Sequence, residues 1–199
     1  MQSGEVKRIV KDCASVLAIY ESLPGHIARA GGFSSWEQGT NAPRFSLDPS
    51  GSLVWGNAYL HTSPLLAKLA SKLQARLAQS YLYKLLAPVY SYDESHNALY
   101  FAIIGALQKQ LQEQFNARFA LVLWDSSDVS DEIERKESHA IIQHFANGLG
   151  EGAMDLVLAS EILPNYKQQR EAYAIHSCDL HPNARANALL AQHLAKSTN

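Results

Sequence analysis

The segment RFALVLWDSS, residues 118–127, contains a continuous apolar run of strand length that ends in polar residues. Two other segments share this pattern: SVLAIYES at 15–22 and MDLVLAS at 154–160. Continuous apolar runs are typical of strands that are buried on both faces of a parallel sheet. Helical patterns alternate with these strands, so the sequence predicts an α/β fold, a layered sandwich with a parallel sheet.

The predicted helices and the predicted hairpin complete this outline. Apolar residues at helical spacing predict helices at 4–12, 63–86, 93–116, 130–150 and 183–196. Pro43–Trp55 reads as a hairpin with DPSG at its turn. A length of 199 residues suits one domain with a core of its own. We therefore expect a single domain over 1–199, with a hairpin and helical insert at about 33–90.

The composition excludes several classes of protein. Hydrophobic residues make up 47% and charged residues 18% of the chain, which is ordinary for a globular domain. The formal net charge of −2 gives no basic face, so nucleic acid is not an expected partner. No apolar run approaches the ~18 residues of a membrane helix, and the first residues do not resemble a signal peptide. Membrane insertion is not expected. The compartment of the parent protein is unknown, and the chain as given is predicted to be cytoplasmic.

The segment SCDLHPNARANALLAQHL, residues 177–194, carries the main functional signal. Asp179 and His181 are two residues apart, and a Pro-Asn pair and a helical pattern follow them. A catalytic histidine needs an acceptor on one nitrogen, a free second nitrogen and a rigid seat, which Asp179 and Pro182 could supply. The alternative interpretation is a helix cap, because Asp or Asn ahead of a helix is a common N-cap.

The block DLHPNARANALLAQHL, residues 179–194, resembles the C-terminal block of the SGNH (GDSL-like) hydrolase family. The stretches VLAIYESLPGHIARAGG and NAPRFSLDPSGSLV are also similar to segments of that family. The resemblance implies a flavodoxin-like three-layer sandwich and a Ser-His-Asp triad. It implies that His181 is the general base and Asp179 its orienting acid, and that the substrate is a small ester or an acylated sugar. No cofactor and no metal are expected.

The family's Gly-Asp-Ser nucleophile motif has no counterpart in this sequence. Only three parallel strands are visible, fewer than a doubly wound sheet usually has, so the domain is predicted to be truncated at its N-terminus. Four serines follow predicted strands, but none has the glycine-flanked elbow of a nucleophile: Ser22, Ser126, Ser127 and Ser160. The nucleophile is therefore unknown, and little or no esterase activity is expected from the chain as given.

Gly25 and His26 occupy the position where the family supplies an oxyanion-hole donor. His26 could donate a hydrogen bond to an oxyanion or a substrate carbonyl, or it could be a surface or capping residue. A second hypothesis treats the chain as a non-catalytic binding or interaction protein that keeps this half of the fold. The exposed edges of a truncated sheet would then need a partner chain or self-association to cover them.

Overall fold

The computed structural model describes residues 3–31, 43–58, 80, 92–125, 131–146, 154–176 and 179–197. The helix predicted at 63–86, much of the insert predicted at about 33–90, and Ser126 and Ser127 lie outside the described residues.

The described elements follow the predicted alternation of strands and helices. In chain order they are α1 (Ser3–Val10), β1 (Val16–Ser22), α2 (His26–Ala30), β2 (Pro43–Leu47), β3 (Leu53–Ala58), α3 (Glu94–Phe115), β4 (Ala117–Leu123), α4 (Glu132–Ala146), β5 (Met154–Leu158), α5 (Ala159–Ile162), a 3₁₀ turn (Arg170–Tyr173), β6 (Ala174–His176), β7 (Asp179–Pro182) and α6 (Ala184–Ser197). No described helix has the length and apolar character needed to cross a bilayer.

A three-stranded parallel sheet in the order β1-β4-β5 confirms the α/β class. Val16 to Ser22 of β1 pair with Ala117 to Leu123 of β4, and β5 pairs with the other side of β4. Every residue of β4 except Arg118 is buried. The central position of β4 explains its continuous apolar sequence, because side chains on both faces of this strand are removed from water.

Contacts along the chain divide it into two compact units. Unit 1 comprises 1–24 and 110–199, and unit 2 comprises 25–109. Unit 1 therefore holds the parallel sheet, α4 to α6 and the β6–β7 pair, whereas unit 2 holds α2, the β2–β3 hairpin and most of α3. The single domain predicted over 1–199 stays a prediction.

One hydrophobic cluster of unit 1 lies between one face of the sheet and α6. Residues of β4 and its C-terminal end alternate toward this face, and α6 supplies residues spaced one turn apart. The buried members are Ala120, Val122, Trp124, Ala159, Leu163, Tyr166, Tyr173, Ala186, Leu190 and Leu194. The apolar stripe predicted for the last helix is confirmed, since Leu189 also packs against this cluster.

The β2–β3 hairpin of unit 2 confirms the turn predicted at DPSG. Asp48 Oδ1 accepts the backbone N–H groups of Ser50 and Ser52, both at 2.9 Å. Gly51 has φ +82°, in the left-handed region where a side chain is disfavoured. The hydrogen bond from the Ser50 side chain is the main cause of the lowered pKa of Asp48, so the carboxylate stays charged and holds the turn.

The segment that contains Asp179 and His181, called the acid-His segment below, forms a strand that the sequence did not predict. Asp179–Pro182 forms strand β7, which pairs antiparallel with β6; His176 lies opposite Asp179, and Ala174 lies opposite Pro182. Neither strand has an apolar alternation, so periodicity gave no sign of a strand here. The pairing is set instead by backbone hydrogen bonding to the segment that follows the 3₁₀ turn.

Candidate functional site

The carboxyl edge of the parallel sheet in unit 1 brings three polar residues to the strand ends. β1 ends at Ser22, Asp125 lies two residues after β4, and Ser160 lies two residues after β5. Ligands of open α/β sheets bind at this edge. The structure therefore places the serines considered above on the expected side of the sheet, as far as they are described.

Ser22 and Ser160 have structural roles at this edge. Ser22 is completely buried, and its hydroxyl donates to the Leu23 carbonyl at 3.4 Å. Ser160 is half-buried in the short helix α5, and its backbone N–H donates to Asp125 Oδ1 at 2.9 Å. Asp125 is itself only 3% exposed, so it ties the end of β4 to the start of α5. Burial therefore keeps the Ser22 hydroxyl from a substrate in this conformation.

Three aromatic rings fill the space between the sheet edge and the 3₁₀ turn. The centroids of Trp124 and Tyr166 lie 6.0 Å apart in an edge-to-face arrangement, and those of Tyr166 and Tyr173 lie 6.2 Å apart. The Tyr173 hydroxyl donates to the Pro164 carbonyl at 2.7 Å, and the Arg185 guanidinium lies 5.1 Å from the Tyr173 ring centre. These contacts fix Tyr173, which directly precedes β6.

An ion pair lies next to Tyr166 of this aromatic cluster. Arg170 Nη1 lies 3.4 Å from Glu134 Oε2, which joins the 3₁₀ turn to α4. Burial raises the pKa of Tyr166 to about 12, and the neighbouring charge of Arg170 acts in the opposite direction. Tyr166 is therefore a neutral phenol at physiological pH.

The wild-type protein is expected to lose stability between pH 10 and 12 because of Tyr166. Replacing Tyr166 by phenylalanine should abolish this part of the pH dependence. The folded-state pKa of about 12 lies above the ordinary value of 10.0. The unfolded chain therefore releases this proton first, and the folded state loses up to ~2–3 kcal/mol as the pH rises through this window. Urea unfolding of both proteins, below pH 10 and near pH 12, measures the difference. Parallel pH dependences of the two proteins would contradict the assignment.

His181 lies on β7 with an exposed side chain. Asp179 begins the same strand, so the structure keeps the two predicted catalytic residues on one short element. The β6–β7 pair is anchored at both ends, because Tyr173, just before β6, and Ala174, the first residue of β6, are buried and α6 is packed on the core after β7. The side chain of His181 is thus accessible, and packing and hydrogen bonds hold the backbone on both sides of its strand pair in place.

Asn183 provides the most specific part of this anchorage. Its Nδ2 donates to the Ala172 and Ala174 carbonyls, both at 3.0 Å, and its Oδ1 accepts the Ala186 N–H at 3.0 Å. Its backbone N–H also donates to the Tyr173 carbonyl at 2.9 Å. The bond to Ala186, three residues on, makes Asn183 the N-cap of α6.

The position of this cap bears on the two interpretations of the acid-His segment. The capping role that could have explained an acid ahead of the last helix is filled by Asn183, four residues after Asp179. The Pro-Asn pair ahead of the last helix was visible in the sequence. No sequence pattern indicated the two further bonds from Asn183 to carbonyls around β6. They depend on the folding of a segment nine to eleven residues earlier.

Gly25 and His26 belong to unit 2, whereas Asp179 and His181 belong to unit 1. Gly25 has the right-handed dihedral angles φ −57° and ψ −6°, and a side chain there would meet no atom within 4 Å. Its carbonyl accepts the Arg29 N–H at 3.1 Å, and His26 is half-buried in the first turn of α2. The glycine is thus not required by the backbone at this position, and the oxyanion role stays a prediction.

The described residues contain no group of three or more His, Cys, Asp or Glu side chains placed to hold a metal ion. Comparison of the chain with protein-family models, with curated proteins and with solved structures found no match in any of the three. The resemblance to the SGNH hydrolases therefore stays a prediction from the sequence.

Proposed function

We propose that the chain is an SGNH-type ester hydrolase or acyl-transfer domain that acts on a small ester or an acylated sugar. His181 is the general base, and Asp179 orients it. The observation that carries the proposal is the exposed side chain of His181 on β7. Asn183, the residue after this strand, hydrogen-bonds to the segment around β6 and caps the packed helix α6. The fold that accompanies this function is the flavodoxin-like three-layer sandwich in a single domain.

The chemical support comes from what a general base requires. The imidazole must be accessible to the group that it deprotonates and must be held in a fixed orientation. Exposure of His181 meets the first condition. The Asn183 bonds and the buried Tyr173 meet the second for the backbone that carries the imidazole.

The nucleophile of the proposed reaction is not assigned. Complete burial of Ser22 keeps substrate from its hydroxyl, and Ser160 is held in a helical turn by Asp125. A serine hydroxyl attacks only when it is exposed and hydrogen-bonded to its base. We therefore expect weak activity at most from these 199 residues alone.

Fluorophosphonate labelling followed by intact-mass measurement tests whether an activated serine is present. We expect no adduct on the wild-type chain, on His181→Ala or on the matched control His193→Ala, which changes another exposed histidine. An adduct on the wild type and the control, but not on His181→Ala, would supply the nucleophile and keep His181 as its base. Equal labelling of all three proteins would contradict the proposal, because a serine would then be activated without His181.

A further inference from the structure

Arg185, the second residue of α6, has a guanidinium that is positioned by an aromatic ring. Its Cζ lies 5.1 Å from the ring centre of Tyr173. Tyr173 is itself fixed, because it is 2% exposed and its hydroxyl donates to the Pro164 carbonyl at 2.7 Å. A cation–π contact with a rigid ring limits the positions that the guanidinium can take. This exposed side chain is therefore oriented before it meets a ligand.

No described carboxylate balances the charge of Arg185. Arg118 of β4 and Arg170 of the 3₁₀ turn each form an ion pair, at 2.9 Å and 3.4 Å. Among the described residues, no carboxylate lies within ion-pair distance of the Arg185 guanidinium, which contacts the Tyr173 ring instead. A guanidinium has five N–H donors, and contact with one ring leaves most of them available to an anion.

The helix to which Arg185 belongs does not offset its charge either. The first turn of α6 contains no acidic residue, although Asp and Glu are the side chains that stabilise this end of a helix. The positive end of the helix dipole opposes a cation here, so the arginine does not stabilise α6 electrostatically. Contact with Tyr173 accounts for the position of the guanidinium, and a bound anion accounts for its charge.

Arg185 is also close to His181 along the chain. His181 precedes it by four residues, so the two Cα atoms lie at most about 14 Å apart. Asn183, between them, donates its backbone N–H to the Tyr173 carbonyl at 2.9 Å, which attaches both residues to the same anchored segment. Both side chains are exposed. This separation suits a small ester that has a charged group at one end.

We propose that Arg185 binds a free carboxylate of the ester on which His181 acts. The substrate class, a small ester with one negative charge, rests on the proposed function. A single guanidinium balances one charge, and its fork of N–H donors matches the two oxygens of a carboxylate. The chain has a net charge of −2, so this is a preference of one site and not a general attraction for anions.

Titration of the full chain with monomethyl succinate, a small ester with one carboxylate, tests the proposal by NMR. The wild type and His181→Ala should both bind it, with a shift of the Arg185 Nε–H signal. Arg185→Met keeps an apolar side chain against Tyr173 but should raise the Kd about 10-fold or more. Arg135→Met changes another exposed arginine of unit 1, and this matched control should bind as the wild type does.

Dimethyl succinate, the neutral diester, separates recognition of charge from apolar contact. Binding of the monoester that depends on Arg185, together with diester binding that does not, supports the proposal. Three results would overturn it: no binding of the monoester by the folded wild type, equal Kd values for the wild type and Arg185→Met, or an equal dependence of both esters on Arg185.

Salt dependence of the wild-type Kd keeps the test decisive if Arg185→Met is unfolded by circular dichroism. The Kd of the monoester should rise with salt, because ions screen an exposed charge pair, and a Kd that is independent of salt would overturn the proposal. The titration requires no turnover. Equal hydrolysis rates for the wild type and His181→Ala would therefore contradict the proposed function alone and leave carboxylate binding at Arg185 standing.

Discussion

Replacing Asn183 by alanine is expected to lower the free energy of unfolding by about 2–4 kcal/mol. The substitution removes the N-cap bond to Ala186 and the two bonds to the Ala172 and Ala174 carbonyls. A cap contributes about 1 kcal/mol, and each of the other bonds contributes a similar amount, with an added cost for the carbonyl that is left partly buried. Urea denaturation at neutral pH measures the loss.

Asn183→Ser separates the two roles of the asparagine. Serine keeps an oxygen that can cap α6, but it does not reproduce the two donors to the carbonyls around β6. Its stability should lie between those of the wild type and Asn183→Ala, about 1 kcal/mol above the alanine variant. An alanine variant within ~0.5 kcal/mol of the wild type would show that the Asn183 bonds do not anchor β6 and β7, since ordinary surface substitutions fall in that range.

The strands of the parallel sheet could be predicted because local sequence and tertiary position agree. The apolar run in residues 118–127 became β4, Ala117–Leu123, in the centre of the sheet, where both faces exclude water. The last helix, predicted at 183–196, is observed at Ala184–Ser197, since a stripe of Ala186, Leu190 and Leu194 matches the helical period. Pattern and environment gave the same answer at these positions.

The structure of the acid-His segment could not be predicted in the same way. β7 contains Asp179, His181 and Pro182, which have no strand pattern, and its pairing with β6 depends on backbone groups whose position the 3₁₀ turn sets. The burial of Ser22 also could not be predicted from the sequence. A serine at the end of a strand can face solvent or the core, and only the packing of the whole unit decides which.

The surroundings of the candidate residues could be predicted only in part, and their catalytic roles stay predictions. Asp179 and His181 lie on one short strand where a loop was expected, and Asn183 of the Pro-Asn pair directly precedes the last helix. The sequence could not show that Asn183 joins this helix to β6, because those bonds depend on how the segment nine to eleven residues earlier folds. Asp125 was missed as well, since its burial depends on the position of α5 after the neighbouring strand.

Replacing His181 by alanine is expected to have the largest effect on catalysis. An oriented imidazole can assist attack on an activated ester even where the family's nucleophile is absent, and positioned general bases contribute typically 10²–10⁴-fold in complete sites. A smaller effect, about 10-fold or more, is expected here because the nucleophile is unassigned. Asp179→Asn should also lower the rate, since an amide does not stabilise the imidazolium as a carboxylate does.

The hydrolysis rate of p-nitrophenyl acetate by the wild-type chain, His181→Ala and His193→Ala decides whether His181 acts as a base. His193 is an exposed histidine on α6, so its removal controls for unspecific imidazole catalysis. We predict a slow wild-type rate that falls about 10-fold or more in His181→Ala and is unchanged in His193→Ala. Equal rates for the folded wild type and His181→Ala would contradict the role of His181 as a catalytic base and would favour a non-catalytic interaction protein.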